Sequence, residues 1–108
     1  MHILNLLTNI REIDHAVVAD LTGTLLESMG ESDSETIAAV MGYTAMKMNE
    51  VGEALGLGEM HQMSFGGKSQ ACIVTMLDSN VVATFVDPTV SLAGVEKKLD
   101  SSLHRAQR

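Results

Sequence analysis

The sequence predicts a mixed α/β fold of the α+β kind, with elements in the order α-β-β-α-β-β-β-α. Three observations carry that expectation. Two apolar runs, His15 to Asp20 and Thr24 to Met29, flank the turn-like Asp20-Leu21-Thr22-Gly23. One proline-free helical pattern runs from Thr36 to Leu55. Three strand-like runs then follow, joined by hairpin-length connections that force antiparallel pairing.

The elements follow in order. Ile3, Leu6, Leu7 and Ile10 have the spacing of one helical face, which predicts a first helix over residues 2 to 12. In the hairpin, Gly23 is available for a positive φ. A polar break from Gly30 to Ser34 offers two caps for the long helix. One is Asp33; the other is Ser32, with Glu35 three residues on completing a capping box. Along the helix, Ile37, Met41, Thr44, Met48, Val51 and Leu55 form one stripe, expected to lie on the core. Ala38, Gly42, Ala45, Met46, Asn49 and Gly52 lie largely on a second side. Glycine inside a helix costs about 1 kcal/mol relative to alanine, so Gly42 and Gly52 suggest a close backbone neighbour. That second, small-residue face is expected to meet a partner.

Gly56-Leu57-Gly58 ends the helix. The strands that follow are Glu59 to Phe65, Ser69 to Leu77 and Val81 to Val86. The last two lack polar alternation and should be covered on both faces. The first is polar and reads as an edge strand, where a second chain can add; Met60, His61, Gln62 and Met63 are its candidate contact residues. Asp87 before Pro88 resembles a helix cap, with Thr89 or Ser91 as a later start. Leu92, Val95, Leu99, Leu103 and Ala106 give the last helix one apolar stripe, with Lys97, Lys98, Asp100 and Ser101 opposite.

Length and charge bound the function. The 108 residues leave room for one domain, residues 1–108, and a chain of this size buries roughly 65% of its extended surface. Fourteen acidic against seven basic residues, a net charge of −7, argue against non-specific nucleic-acid or anionic-membrane binding. The basic residues include Lys97-Lys98 and the terminal Arg105 and Arg108. The one cysteine, Cys72, permits no internal disulfide and fits a reducing compartment. Met1 to Leu7 is apolar but too short for a secretory signal, and no run approaches a membrane span. A cytoplasmic protein without direct membrane insertion is expected.

Chemistry finds few candidates. His2, His15, His61 and His104 show no paired metal-ligand spacing, and the soft ligands of a zinc site are absent. His61 and Cys72 fall on neighbouring strands, but cysteine in an apolar strand reads as core. Eight methionines read as adaptable core or interface filler. Gly66-Gly67-Lys68-Ser69 lacks the upstream glycine of a phosphate loop and lies between strands. Asp14, Asp20, Glu27 and Asp87 read as strand-end or turn acids, and no two form an acid–base pair. Catalytic residues, metal and cofactor are all expected to be none; the chain reads as no enzyme.

The order of elements, with several local signatures, resembles the Roadblock/LC7 family of dynein light chains, bacterial gliding-polarity regulators and lysosomal scaffold subunits. The resemblance covers about residues 2 to 103. It is carried by Val18-Ala19-Asp20-Leu21-Thr22-Gly23-Thr24-Leu25-Leu26, by Leu55-Gly56-Leu57-Gly58-Glu59, and by Ser91-Leu92-Ala93-Gly94-Val95. It implies a five-stranded antiparallel sheet with the long helix on one face and the terminal helices on the other. It further implies a homodimer or family heterodimer, formed through Glu59 to Phe65 and the Ile37 to Leu55 face. The implied partner is a Ras-like small GTPase, scaffolded or activated in a prokaryotic cytoplasm. The alternatives are an adaptor subunit of a motor or membrane complex and, less directly, a small-molecule sensor. The short first helix departs from family members with an extended N-terminus.

Overall fold

Strands apolar on both sides need cover on both sides, and this chain supplies it with one helix on one face and two on the other. The computed structural model describes residues 3–30 and 33–106, with side chains through Leu103. The Ser32 cap and the side chains of His2, His104, Arg105, Ala106 and Arg108 lie outside the described residues.

The elements are a 3-10 helix η1 (Ile3–Leu7), β1 (Ile13–Asp20), β2 (Leu25–Met29), α1 (Ser34–Ala54), β3 (Gln62–Gly66), β4 (Ala71–Met76), β5 (Asn80–Val86) and α2 (Leu92–Ala106). The sheet order is β2-β1-β5-β4-β3, every pair antiparallel. Strand β5 therefore lies at the centre, and β3 is an edge, as its polar sequence implied; β2 is the other edge.

The two faces have separate cores. On one, Leu4, Leu7, Ile10 and Ile13 join Ala16, Val18, Ile73, Val82 and Val86 under Val95, Leu99 and Leu103 of α2. On the other, Val17, Ala19, Val74, Val81 and Ala83 lie under Ala38, Met41, Ala45 and Met48 of α1. Each fully buried Val, Leu or Met side chain contributes roughly 1.5–3 kcal/mol of transfer free energy, so both faces matter to stability.

The N-terminal element differs from the expected helix over residues 2 to 12. Its buried residues Leu4, Leu7, Ile10 and Ile13 recur every third residue, the period of a 3-10 helix. Backbone bonds from Ile10 N to Leu7 O and from Ile13 N to Ile10 O continue that three-residue repeat beyond η1 itself. The Glu27 carboxylate of β2 accepts the Ile3 and Leu4 N–H groups, each at 2.9 Å, and so caps the free end of η1.

The β1–β2 turn is organised by Asp20, whose Oδ1 accepts from Thr22 N, Thr22 Oγ1 and Thr24 N. These hydrogen bonds, that of the Thr22 hydroxyl foremost, hold the Asp20 carboxyl below its ordinary pKa. Gly23 takes φ +92° there. Asp33 caps α1, accepting from Thr36 N at 3.4 Å and Thr36 Oγ1 at 2.7 Å. At the other end Leu57 N reaches Gly52 O and Gly56 N reaches Glu53 O, a Schellman closure with Gly56 at φ +72°.

The last helix begins at the later alternative. Asp87 does not cap it; its carboxylate accepts from Thr89 N and closes a turn with Val90 N on Asp87 O. Ser91 takes the cap, its Oγ accepting from Gly94 N.

Candidate protein-interaction surface

The α1 helix packs chiefly over β1, β2 and β5. On that side of the sheet β4 and β3 carry Cys72 and Met63, both half-buried, and Phe65, which is 44% exposed. Strand register aligns His15 with Phe85, Phe85 with Cys72, and Cys72 with Phe65. These four form one row across four strands on the α1 face. His15 and Phe85 meet edge to face with ring centroids 4.2 Å apart, and His15 Nε2 is buried without a hydrogen-bond partner.

The face of α1 toward the sheet is not the one expected from hydrophobicity. Its buried residues are Ala38, Met41, Gly42, Ala45, Met48 and Gly52. Of the predicted partner face, Ala38, Gly42, Ala45 and Gly52 are thus buried inside the chain; only Met46 and Asn49 are exposed. The reason is distance. A Cβ on Gly42 would stand 2.6 Å from Gly23 Cα, and one on Gly52 would stand 2.6 Å from Gly58 O. Close backbone neighbours were the correct reading of these glycines, but the neighbours belong to the same chain.

The predicted core stripe is correspondingly split. Met41 and Met48 are buried, Ile37 and Thr44 half-buried, and Val51 and Leu55 exposed. Val40, Val51 and Leu55 (67% exposed) thus form an apolar flank, on the side of the helix opposite Ala39 and Gly42. Beside it Tyr43, 60% exposed, lies under Lys47 Nζ at 5.5 Å from the ring centroid. Lys47 also pairs with Glu50 at 3.1 Å, the main cause of its raised pKa.

The edge strand presents its own surface. Strand β3 pairs only with β4, leaving its outer backbone edge without a strand partner among the described residues. Gln62 and Ser64 point to the α2 side, where Gln62 Nε2 donates to Thr75 Oγ1 and Ser64 Oγ donates to Glu96 Oε2. Met63 packs on the α1-side core. Met60 and His61 precede the strand and line an open groove at the end of α1.

Among the described residues, His61 and Cys72 do not come together as a chemical centre. Phe65 stands opposite Cys72, and Gln62, three residues earlier, stands opposite Thr75, so His61 lies well along the ladder from Cys72. Burial pushes the Cys72 thiol up to about 11, the opposite of an activated cysteine. Among the described residues, no group of three His, Cys, Asp or Glu could hold a metal ion. None of the described helices is long and apolar enough to cross a membrane.

Comparison with known proteins supplies the family. The model of the Roadblock/LC7 domain matches residues 2–87. The chain belongs to the Roadblock/LC7 family. Members of that family are non-catalytic regulatory and scaffold domains. Among solved structures, Myxococcus xanthus MglB is similar with a TM-score of 0.86 at 18% identity, covering 96% of this chain and 90% of that one. A Roadblock/LC7 domain from Streptomyces avermitilis gives 0.81 at 14% identity, over 95% and 89%. The gliding protein MglB of Thermus thermophilus gives 0.81 at 17% identity, over 95% and 86%. At such identities these matches establish the shared fold. No curated protein sequence matches the chain.

Proposed function

We propose that this Roadblock/LC7 chain is a dimeric regulator or scaffold of a Ras-like small GTPase, working in a prokaryotic cytoplasm. The observation that carries the reading is a juxtaposition: the unpaired β3 edge borders a sheet face that α1 leaves half-covered, beside the apolar flank Val40, Val51 and Leu55. Antiparallel addition of a second β3 would satisfy the open backbone edge and bring a second α1 over the Phe85–Cys72–Phe65 row. The likeness to MglB folds, one of them described in a tetrameric arrangement at TM-score 0.83 and 16% identity, supports assembly from copies of one chain. Members of the family commonly bind small GTPases, which supports the choice of partner.

In this reading the binding energy comes from apolar contacts, while the −7 charge tunes encounter and rejects wrong partners. Among the described residues there is no metal-holding cluster, and the Cys72 thiol is not activated. Stimulation of GTP hydrolysis would therefore work by ordering the residues of the GTPase.

The test is affinity capture from the native cell, with and without a non-hydrolysable GTP analogue. Nucleotide-dependent recovery of a small GTPase is expected. Recovery of a motor or membrane-complex subunit, independent of nucleotide, would move the protein to the adaptor class instead.

A further inference from the structure

At one end of the sheet the last turns of α1, the segment before β3, and the β1–β2 and β4–β5 turns surround an open groove of about 690 Å³. Leu21, Met60, Met76 and Leu77 supply apolar surface, and Glu53, Glu59 and Asp78 supply carboxylates around it. No lysine or arginine lines it among the described residues.

Local backbone chemistry holds this groove open. The Schellman closure ends α1, and Gly58 at φ +77° turns the chain back across the helix end. Because Gly52 has no side chain, Gly58 O and Met60 can seat directly on the helix. That contact fixes one wall. Opposite it, Leu21 is 46% exposed, held out by the turn that Asp20 organises. An apolar side chain entering the groove would meet Leu21 and two methionines, whose flexible thioethers adapt to the shape of an anchor. Residues flanking that anchor would lie beside three carboxylates and His61, with no lysine or arginine among the described lining residues.

We propose that the groove docks a basic amphipathic segment of a partner protein, one apolar anchor flanked by lysine or arginine. Charge complementarity selects this occupant: an acidic segment would face three like charges, and a purely apolar one would leave the carboxylates unpaired beside it. This goes beyond the regulator reading and stands without it, since neither the β3 edge nor the exposed α1 flank takes part.

Three fluorescently labelled synthetic peptides test it on the full chain: alternating Lys-Leu, its Glu-Leu counterpart, and Lys-Ser. Only the Lys-Leu peptide should bind, with affinity that falls as salt rises and with amide shifts centred on Leu21, Met60, Met76 and Leu77. The double variant Glu53→Lys, Glu59→Lys should weaken it about tenfold. Leu21→Ser, which removes apolar surface without changing charge, should weaken it as well. Glu35→Lys with Asp100→Lys makes the same charge change elsewhere and should leave the affinity intact. No binding, equal binding of the Lys-Ser peptide, equal loss in both double variants, or shifts centred on Val40, Val51 and Leu55 would each overturn the proposal.

Discussion

Gly42 shows how one missing side chain sets the position of a helix. Helix propensity favours alanine there by about 1 kcal/mol, yet the added Cβ would stand 2.6 Å from Gly23 Cα. Backbone cannot yield as a flexible side chain does, so overpacking should win. Gly42→Ala is expected to lose about 1–2 kcal/mol net, measured by urea unfolding, while Ala substitution at exposed Asn49 should be near neutral. His15 presents the reverse case. Its Nε2 is buried and unpartnered on the edge of Phe85, so His15→Phe keeps a ring there and removes the orphaned nitrogen. A gain of about 1 kcal/mol is expected in the same measurement. For Cys72, a thiol raised to about 11 is almost wholly protonated at neutral pH. Its alkylation rate should climb through pH 8 to 10 without levelling off, whereas an activated thiol would level off below pH 8.

At the next level, α1 and α2 are held by different means. Helix α2 carries one clean apolar stripe and a long-range ion pair, Lys98 Nζ to Glu12 Oε2 at 2.6 Å. The Lys98 hydrogen bond is the main cause of the lowered Glu12 pKa. A carboxylate whose folded pKa is depressed stabilises the fold above its unfolded value and loses that contribution as pH falls through the folded value. The acid midpoint of unfolding should therefore move when Glu12→Gln is made, and the difference between the two proteins should vanish below the folded Glu12 pKa. At pH 7 only a small change is expected, since the pair is solvent-exposed. Helix α1 depends instead on close approach, through Ala38, Gly42, Ala45 and Gly52, and leaves large apolar residues outside. The two helices thus separate a plain cover from an element with surface to spare.

For the molecule as a whole, the contrast between buried and exposed positions on α1 separates fold from assembly. Ala45→Glu places a charge in a fully packed core and should abolish the near-UV and amide-dispersion signatures of the fold. Val51→Glu, at a 44% exposed site, should leave far-UV circular dichroism unchanged while shifting light scattering from dimer to monomer at micromolar concentration. A wild-type chain that scatters as a monomer under those conditions would overturn the proposed dimer.

Much of this architecture was legible in the residues. The three hairpins, the Asp33 cap, the Gly56 exit, the polar edge strand and the stripe of α2 are written in local chemistry, where turn residues and periodicity act over a few positions. The face of α1 was not. Hydrophobicity ranked Ile37, Val51 and Leu55 as core, but the sheet and the β1–β2 turn come so near that only small residues fit beneath the helix. That separation is a property of elements distant in sequence, Gly23 against Gly42 and Gly58 against Gly52. The same long-range geometry turned Ala38, Gly42, Ala45 and Gly52 of the expected partner face inward and exposed Val51 and Leu55 of the expected core stripe. It also replaced a three-turn N-terminal helix with a three-residue repeat tied down by Glu27, a contact across more than twenty residues. Local chemistry therefore chose the elements and their ends; packing distance, which no single segment encodes, chose which of their surfaces remain open to a partner.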